Sequence, residues 1–202
     1  ETLALLHASP DPDRRRTLAT IADILASTMD LPLVWIGRRE PDRDEVEVVA
    51  AAGTAADYVA ALHLSADASV PGGRGPVGMV LREEWARATP VDAPEFEPWR
   101  EAARRYGFGS CIVAASRTRD AGQLVLAAYS RDDGPSLSGE LLDWGQRLVD
   151  ELSRYWDHHG LLERSARMSR YRDAQRAIQR ALLEQPDPAA VYRTLAEALA
   201  DI

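Results

Sequence analysis

Residues 110–118 read SCIVAASRT and residues 123–130 read QLVLAAYS, two apolar runs separated by a short polar connection that ends in Asp120, Ala121 and Gly122. Each run has strand length and is bounded by turn-forming residues, so the pair predicts an antiparallel hairpin. In both runs the odd and the even positions are apolar, which a strand needs only when it is covered on two sides. Upstream, LPLVWIGRRE (31–40) and DEVEVVAAAG (44–53) are joined by Pro41, Asp42 and Arg43 and predict a second hairpin. LVWIG is again apolar on both faces, whereas DEVEVVA alternates acid with valine and suits a strand with one covered face. The expected fold class is α+β, an antiparallel sheet between two layers.

The flanking segments supply those layers. In residues 11–29, Leu18, Ile21, Ala22 and Leu25 share one helical stripe, with Asp11 as a cap and Pro12 near the start. Residues 54–109, between the hairpins, are rich in glycine, proline and aromatics and carry short helical stretches at 76–84 and 97–106. This middle insert is the region able to form a pocket.

From Ser138 the pattern becomes one long helix. Leu141, Gly145, Leu148, Leu152, Tyr155, His159, Leu162 and Ala166 are spaced alternately by four and three, a heptad-type seam. The spacing slips after Ala166 and resumes through Met168, Tyr171, Gln175, Ile178 and Leu182. Leu141 to Leu152 suit packing on the protein's own sheet. Beyond Tyr155 the helix outruns the domain, and a parallel homodimer is expected, with Leu148, Leu152, Tyr155, His159, Leu162 and Ala166 as seam candidates.

The stretch LLHASPDPDRRRTLATIADI (5–24) is echoed by LLEQPDPAAVYRTLAEALADI (182–202), which shares LL, PDP, RTLA and ADI with it. Either a second copy of the domain begins at the C-terminus or two alanine-rich amphipathic helices resemble each other by chance. The expected division is a domain over 12–156, a helical linker over 157–185 and the start of a second, related domain over 186–202.

Composition removes several functions. The formal net charge of −8 argues against a general binder of nucleic acid or anionic membrane, which needs clustered positive charge. The chain contains no lysine, which excludes Schiff-base chemistry and a Walker-type phosphate loop despite the glycines of GRGPVG (73–78). One cysteine, Cys111, cannot form an internal disulfide or a multi-thiolate metal site. The chain opens on Glu1 with no basic n-region and has no apolar run of membrane-spanning length, so a cytoplasmic piece of a longer chain is expected.

Residues 72–130 carry a resemblance. The order GRGPVGMVLREEWARATPVDAPEFEPWREAARRYGFGSCIVAAS followed by GQLVLAAYS is similar to the GAF domain family, the small-ligand sensor modules of bacterial signalling proteins. The likeness is strongest to members that precede diguanylate cyclase, cyclic di-GMP phosphodiesterase or histidine kinase modules. It implies a five- or six-stranded antiparallel sheet between terminal helices and a pocket-forming layer of helices and loops, with a long C-terminal signalling helix. It implies a non-catalytic sensory domain that binds a small ligand or dimerises and passes a signal to a downstream output domain in the same chain. A haem-based gas or redox sensor and a purely structural dimerisation module are the alternatives. No cofactor is fixed by these residues.

Individual residues keep two readings. Gly73, Gly75 and Gly78 permit a tight turn and close packing where a helix starts at Pro76, or open that helix terminus to an anion. Cys111 is a buried inert thiol or a redox or ligand group. Pigment-binding relatives attach a bilin through Cys followed by His, and here Ile112 follows Cys111. Relatives that reduce free methionine sulfoxide need a second cysteine, and cyclic-nucleotide-binding relatives an Asn-Lys-Phe-Asp-Glu signature, both lacking here. His63 is a packing residue or a haem ligand. His63, Arg74, Met79, Trp85, Trp99, Arg100, Cys111 and Tyr129 are the pocket candidates, with Arg74 and Arg100 as charged anchors. Trp35, Tyr58, Phe96, Tyr106 and Phe108 are further wall candidates.

Overall fold

The computed structural model describes residues 14–132 and 139–184. The Asp11 cap, Pro12, Ser138, all but residues 182–184 of the C-terminal echo and the start of the second domain over 186–202 lie outside the described residues. The chain divides into two compact units, one up to Asp157 and one from His158.

In the first unit, helix α1 (Arg14–Thr28) buries Leu18, Ile21, Ala22 and Leu25, the predicted stripe. It stops where Asp30 turns into the left-handed region at φ 49°. Strands β1 (Leu33–Arg39) and β2 (Val46–Ala52) form the first hairpin, and β4 (Ser110–Arg117) and β5 (Gln123–Ser130) the second. Between them lie α2 (Pro76–Glu83), a short strand β3 (Arg87–Pro90), α3 (Arg100–Arg105) and three 3-10 turns. The five strands run in the order β2-β1-β5-β4-β3, every neighbouring pair antiparallel. Helix α4 (Gly139–Glu184) begins in this unit. Among the described residues no helix is long and apolar enough to cross a membrane.

Register explains the two-sided burial. Leu33 pairs with Tyr129 and Trp35 with Ala127, while Cys111 and Val113 meet the same two partners from β4. Side chains alternate along a strand, so these residues face one side, where they join Tyr58, Val77, Phe96 and Phe108 in one core. Val34, Ile36, Ala114, Leu124 and Leu126 face the other side, against α1 and the first turns of α4.

Leu148, Leu152 and Tyr155 belong to that second core and are 3, 0 and 5% exposed. They are therefore not the dimer seam proposed for them; the chain's own sheet already covers them. Gln146 Nε2 donates to the Ala115 carbonyl at 3.0 Å, fastening α4 to β4. The Trp156 ring is held between Arg14, 4.1 Å from its centroid, and Arg38, 4.9 Å from it. Arg38 is only 5% exposed and donates to Glu40 Oε1 at 2.8 Å and Asp120 Oδ2 at 2.6 Å. Burial alone would raise the Asp120 carboxyl. Hydrogen bonds from Thr118 Oγ1 and the Gly122 N–H, with the Arg38 charge, outweigh it and hold the group below its ordinary value.

The second unit is described as helix, the continuation of α4 from His158 to Glu184. His159 is half-buried. Leu161, Met168 and Tyr171 are exposed. The side chains of Leu162 and Ala166 lie outside the described residues.

Candidate functional site

The sheet face away from α1 and α4 is roofed by the middle insert. Its loop GRGPVG packs backbone against backbone. A methyl group on Gly78 would come within 2.2 Å of the Gly73 carbonyl oxygen, and one on Gly75 within 2.1 Å of the Trp99 ring. Glycine is needed there for close approach rather than for an unusual φ. Pro76 opens α2 at its first position, where its missing N–H costs nothing. Arg82 Nη1 then donates to the carbonyls of Ala66 at 2.8 Å and Gly73 at 2.7 Å and ties the loop down.

Beneath this roof the aromatics interlock. Tyr58 stands edge-on to Phe108, with ring centroids 5.1 Å apart, and to Tyr129 at 5.7 Å; Phe96 meets Tyr129 at 6.4 Å. Such edge contacts are favourable beyond the area they bury. What remains is a void of about 10 Å³ lined by Leu62, Phe96, Trp99, Cys111, Val113 and Tyr129, among others.

The same core holds buried polar groups. Among the described residues the buried Tyr58 hydroxyl has no hydrogen-bond partner, and the Trp35 indole N–H approaches the Tyr129 hydroxyl without reaching hydrogen-bond geometry. Burial pushes the Tyr58 and Tyr129 hydroxyls and the Cys111 thiol far above their ordinary values, and the two tyrosines are further disfavoured as anions by Cys111 and a neighbouring tyrosine. Cys111 is therefore held as a thiol, the form that is a poor nucleophile. The Thr89 hydroxyl on β3 is also buried without a partner among the described residues.

Of the eight predicted pocket residues the structure brings together three, Trp99, Cys111 and Tyr129. His63 is exposed, so it cannot ligate a haem in this pocket. Arg74 is exposed and donates to the carbonyls of Ala68 at 3.1 Å and Ser69 at 2.8 Å. Arg100 likewise donates to the Ala93 carbonyl at 3.0 Å and pairs with Glu97, so both expected anchors are occupied in holding loops. Trp85 is 58% exposed. Met79 is half-buried, its sulfur 3.9 Å from Arg87 Nη1, outside the aromatic cluster.

Solved structures with this architecture are numerous in kind. A free methionine-R-sulfoxide reductase from Neisseria meningitidis in complex with its substrate superposes with a TM-score of 0.63 at 17% identity, covering 80% of this chain and 87% of that one. The GAF domain of a phosphoenolpyruvate-protein phosphotransferase from Coxiella burnetii gives 0.61 at 15% identity, over 80% of this chain and 92% of that one. The phycoerythrobilin-bound GAF domain of a cyanobacterial phytochrome gives 0.59 at 16% identity, over 80% and 94%. The fold is that of a GAF domain. No family model matches the sequence, and no curated protein matches it. Within the GAF fold, Ile112 occupies the position after Cys111, and Cys111 is the chain's one cysteine.

Proposed function

We propose that this chain is a non-catalytic sensory or regulatory GAF domain of a cytoplasmic signalling protein. It binds a small molecule under the α2 roof and passes the change along α4 to an output domain. The observation that carries this reading is the buried Tyr58 hydroxyl, which has no partner among the described residues and whose ring packs on Tyr129, a wall of the nearly closed void. An orphaned buried donor costs about 1–3 kcal/mol. A ligand that satisfies it and displaces the aromatic packing therefore favours an opened state, and differential affinity of this kind is what shifts a population. The neutral, buried Cys111 supports binding rather than thiol catalysis. A homodimer through the helix beyond His158 and an output module of the diguanylate cyclase or cyclic di-GMP phosphodiesterase class rest on the resemblance of residues 72–130 and on the heptad spacing.

The small size of the void favours a second reading, a dimerisation module whose pocket has been filled by its own side chains. Native mass spectrometry of the protein as purified from cells separates the two. A dimer with a discrete added mass per chain is expected for the sensor. A bare dimer would favour the module, and a bare monomer would overturn the role assigned to the helix.

A further inference from the structure

The other face of the sheet, which should be a plain hydrophobic core, is not closed. Between the end of α1 and the first turns of α4 lies a cavity of about 180 Å³. Its floor includes Val34, Ala128 and Ile112, neighbours across β1, β5 and β4, and Ala128 and Ile112 remain half-exposed in the middle of the sheet. Met29 and Trp144 line it too, and both are large apolar side chains left substantially exposed, at 40 and 37%.

Gly145 keeps this space open. It lies inside α4, where among the described residues a Cβ would meet nothing closer than Ile112 Cγ2 at 3.8 Å, an ordinary contact. Glycine is a poor residue for a helix interior, and here no close approach requires it. Alanine would fit, strengthen the helix and take up part of the cavity.

The lining is polar at one end only. Ser110 and Ser130 are paired across β4 and β5, and Asp132 follows. Ser110 Oγ donates to the Asp132 carbonyl at 2.8 Å, and the Asp132 N–H donates to Ser130 Oγ at 3.1 Å. Among the described residues nothing donates to Ser110 Oγ or to the Asp132 carboxylate, whose lone pairs remain as acceptors.

We propose that this cavity is a second ligand site, on the opposite face from the pocket under α2, for a small monocyclic aromatic molecule bearing one cationic hydrogen-bond donor. A dry apolar cavity of about 150 Å³ takes up benzene, so this one has room for a ring and a short substituent. The ring lies over Ile112 and Ala128, and the donor points toward Ser110 and Asp132. Because Gly145 and Trp144 belong to α4, occupancy presses on the helix that continues out of the domain.

The probe is benzylamine, titrated into the protein with labelled isoleucine, alanine, leucine and valine methyl groups, with toluene and benzoate as comparisons. Saturable shifts are expected at Ile112 and Ala128, with Val77 and Val113 on the other face unmoved. Benzylamine should bind about tenfold more tightly than benzoate. Asp132→Asn should remove that preference while toluene still binds, and Gly145→Ala should raise the melting temperature and weaken benzylamine about tenfold. Absence of saturable shifts overturns the proposal, as does undiminished binding by Gly145→Ala. Shifts at Ile112 and Ala128 that follow protein concentration alone would make a second copy the occupant. Binding seen only after residues 133–138 are replaced by a glycine–serine linker would make that segment the occupant. Either result ends the small-molecule reading.

Discussion

The two faces of the sheet are packed in the opposite sense from the one the family resemblance implies. The face under α2, where a ligand pocket is expected, is filled by Tyr58, Phe96, Phe108 and Tyr129 down to a void of about 10 Å³. The face under the terminal helices, expected to be structural, is built largely from small and aliphatic residues and keeps a cavity of about 180 Å³. Side-chain size accounts for the difference. Rings reaching in from four separate segments close one layer, while Ala128 on the floor and Gly145 in the wall leave the other short of atoms.

The largest effect expected from this contrast is at Phe96, which is 2% exposed in the aromatic layer. Phe96→Ala should cost about 3–5 kcal/mol in denaturant-induced unfolding, the usual range for emptying a packed aromatic site. A cost below about 1 kcal/mol would mean that the aromatic layer is loose in solution, and the contrast between the faces would fail.

The helix face depends instead on polar fastening at one end. Asp120→Asn removes one of the two carboxylates on the buried Arg38 and, because solvent screens the partly exposed Asp120, should cost about 1 kcal/mol at neutral pH. The Asp120 carboxyl is held below its ordinary value, so its contribution is complete above the unfolded-state value of about 4. That contribution is lost as pH falls through the lower, folded-state value. Unfolding curves collected downward from neutral pH should therefore converge for the two proteins in acid. Curves that stay parallel would remove Asp120 from the linkage.

Much of this architecture was legible because it is local. Alternation with the turn at Pro41 to Arg43 locates the β1–β2 hairpin, and the doubly apolar runs around Cys111 and Leu124 announce strands covered on both sides. Strand β3 was not legible, since Arg87–Pro90 has no alternating pattern and is a strand only by pairing with β4. The site was read less well for the same reason. Cys111 and Tyr129 inherit their inward direction from strand register, so they could be placed. Whether His63, Arg74 or Trp85 faces inward depends on loop paths that no periodicity encodes. The four-and-three spacing makes Gly145 one more member of a seam, and only the distance to Ile112 reveals it as a gap.

Tyr58→Phe sharpens the reading of the aromatic face. Removing an unpartnered buried hydroxyl should stabilise the protein by about 1 kcal/mol without changing the packing. A loss of similar size would mean that the hydroxyl has a partner in solution, either a ligand or an ordered water, and that this face is less closed than its void suggests.

The smallest effect tests the opposite face. Gly145→Ala should stabilise the protein by about 0.5–1 kcal/mol, because alanine is the better helix former and its methyl group would contact Ile112 at an ordinary distance. That gain requires the space to exist. If α4 lay closer to the sheet in solution, the methyl would meet Ile112 or Ala128 and the same substitution would cost about 1–3 kcal/mol through overpacking. The sign of one melting-temperature difference therefore decides whether the helix face is open, and it does so without reference to any ligand.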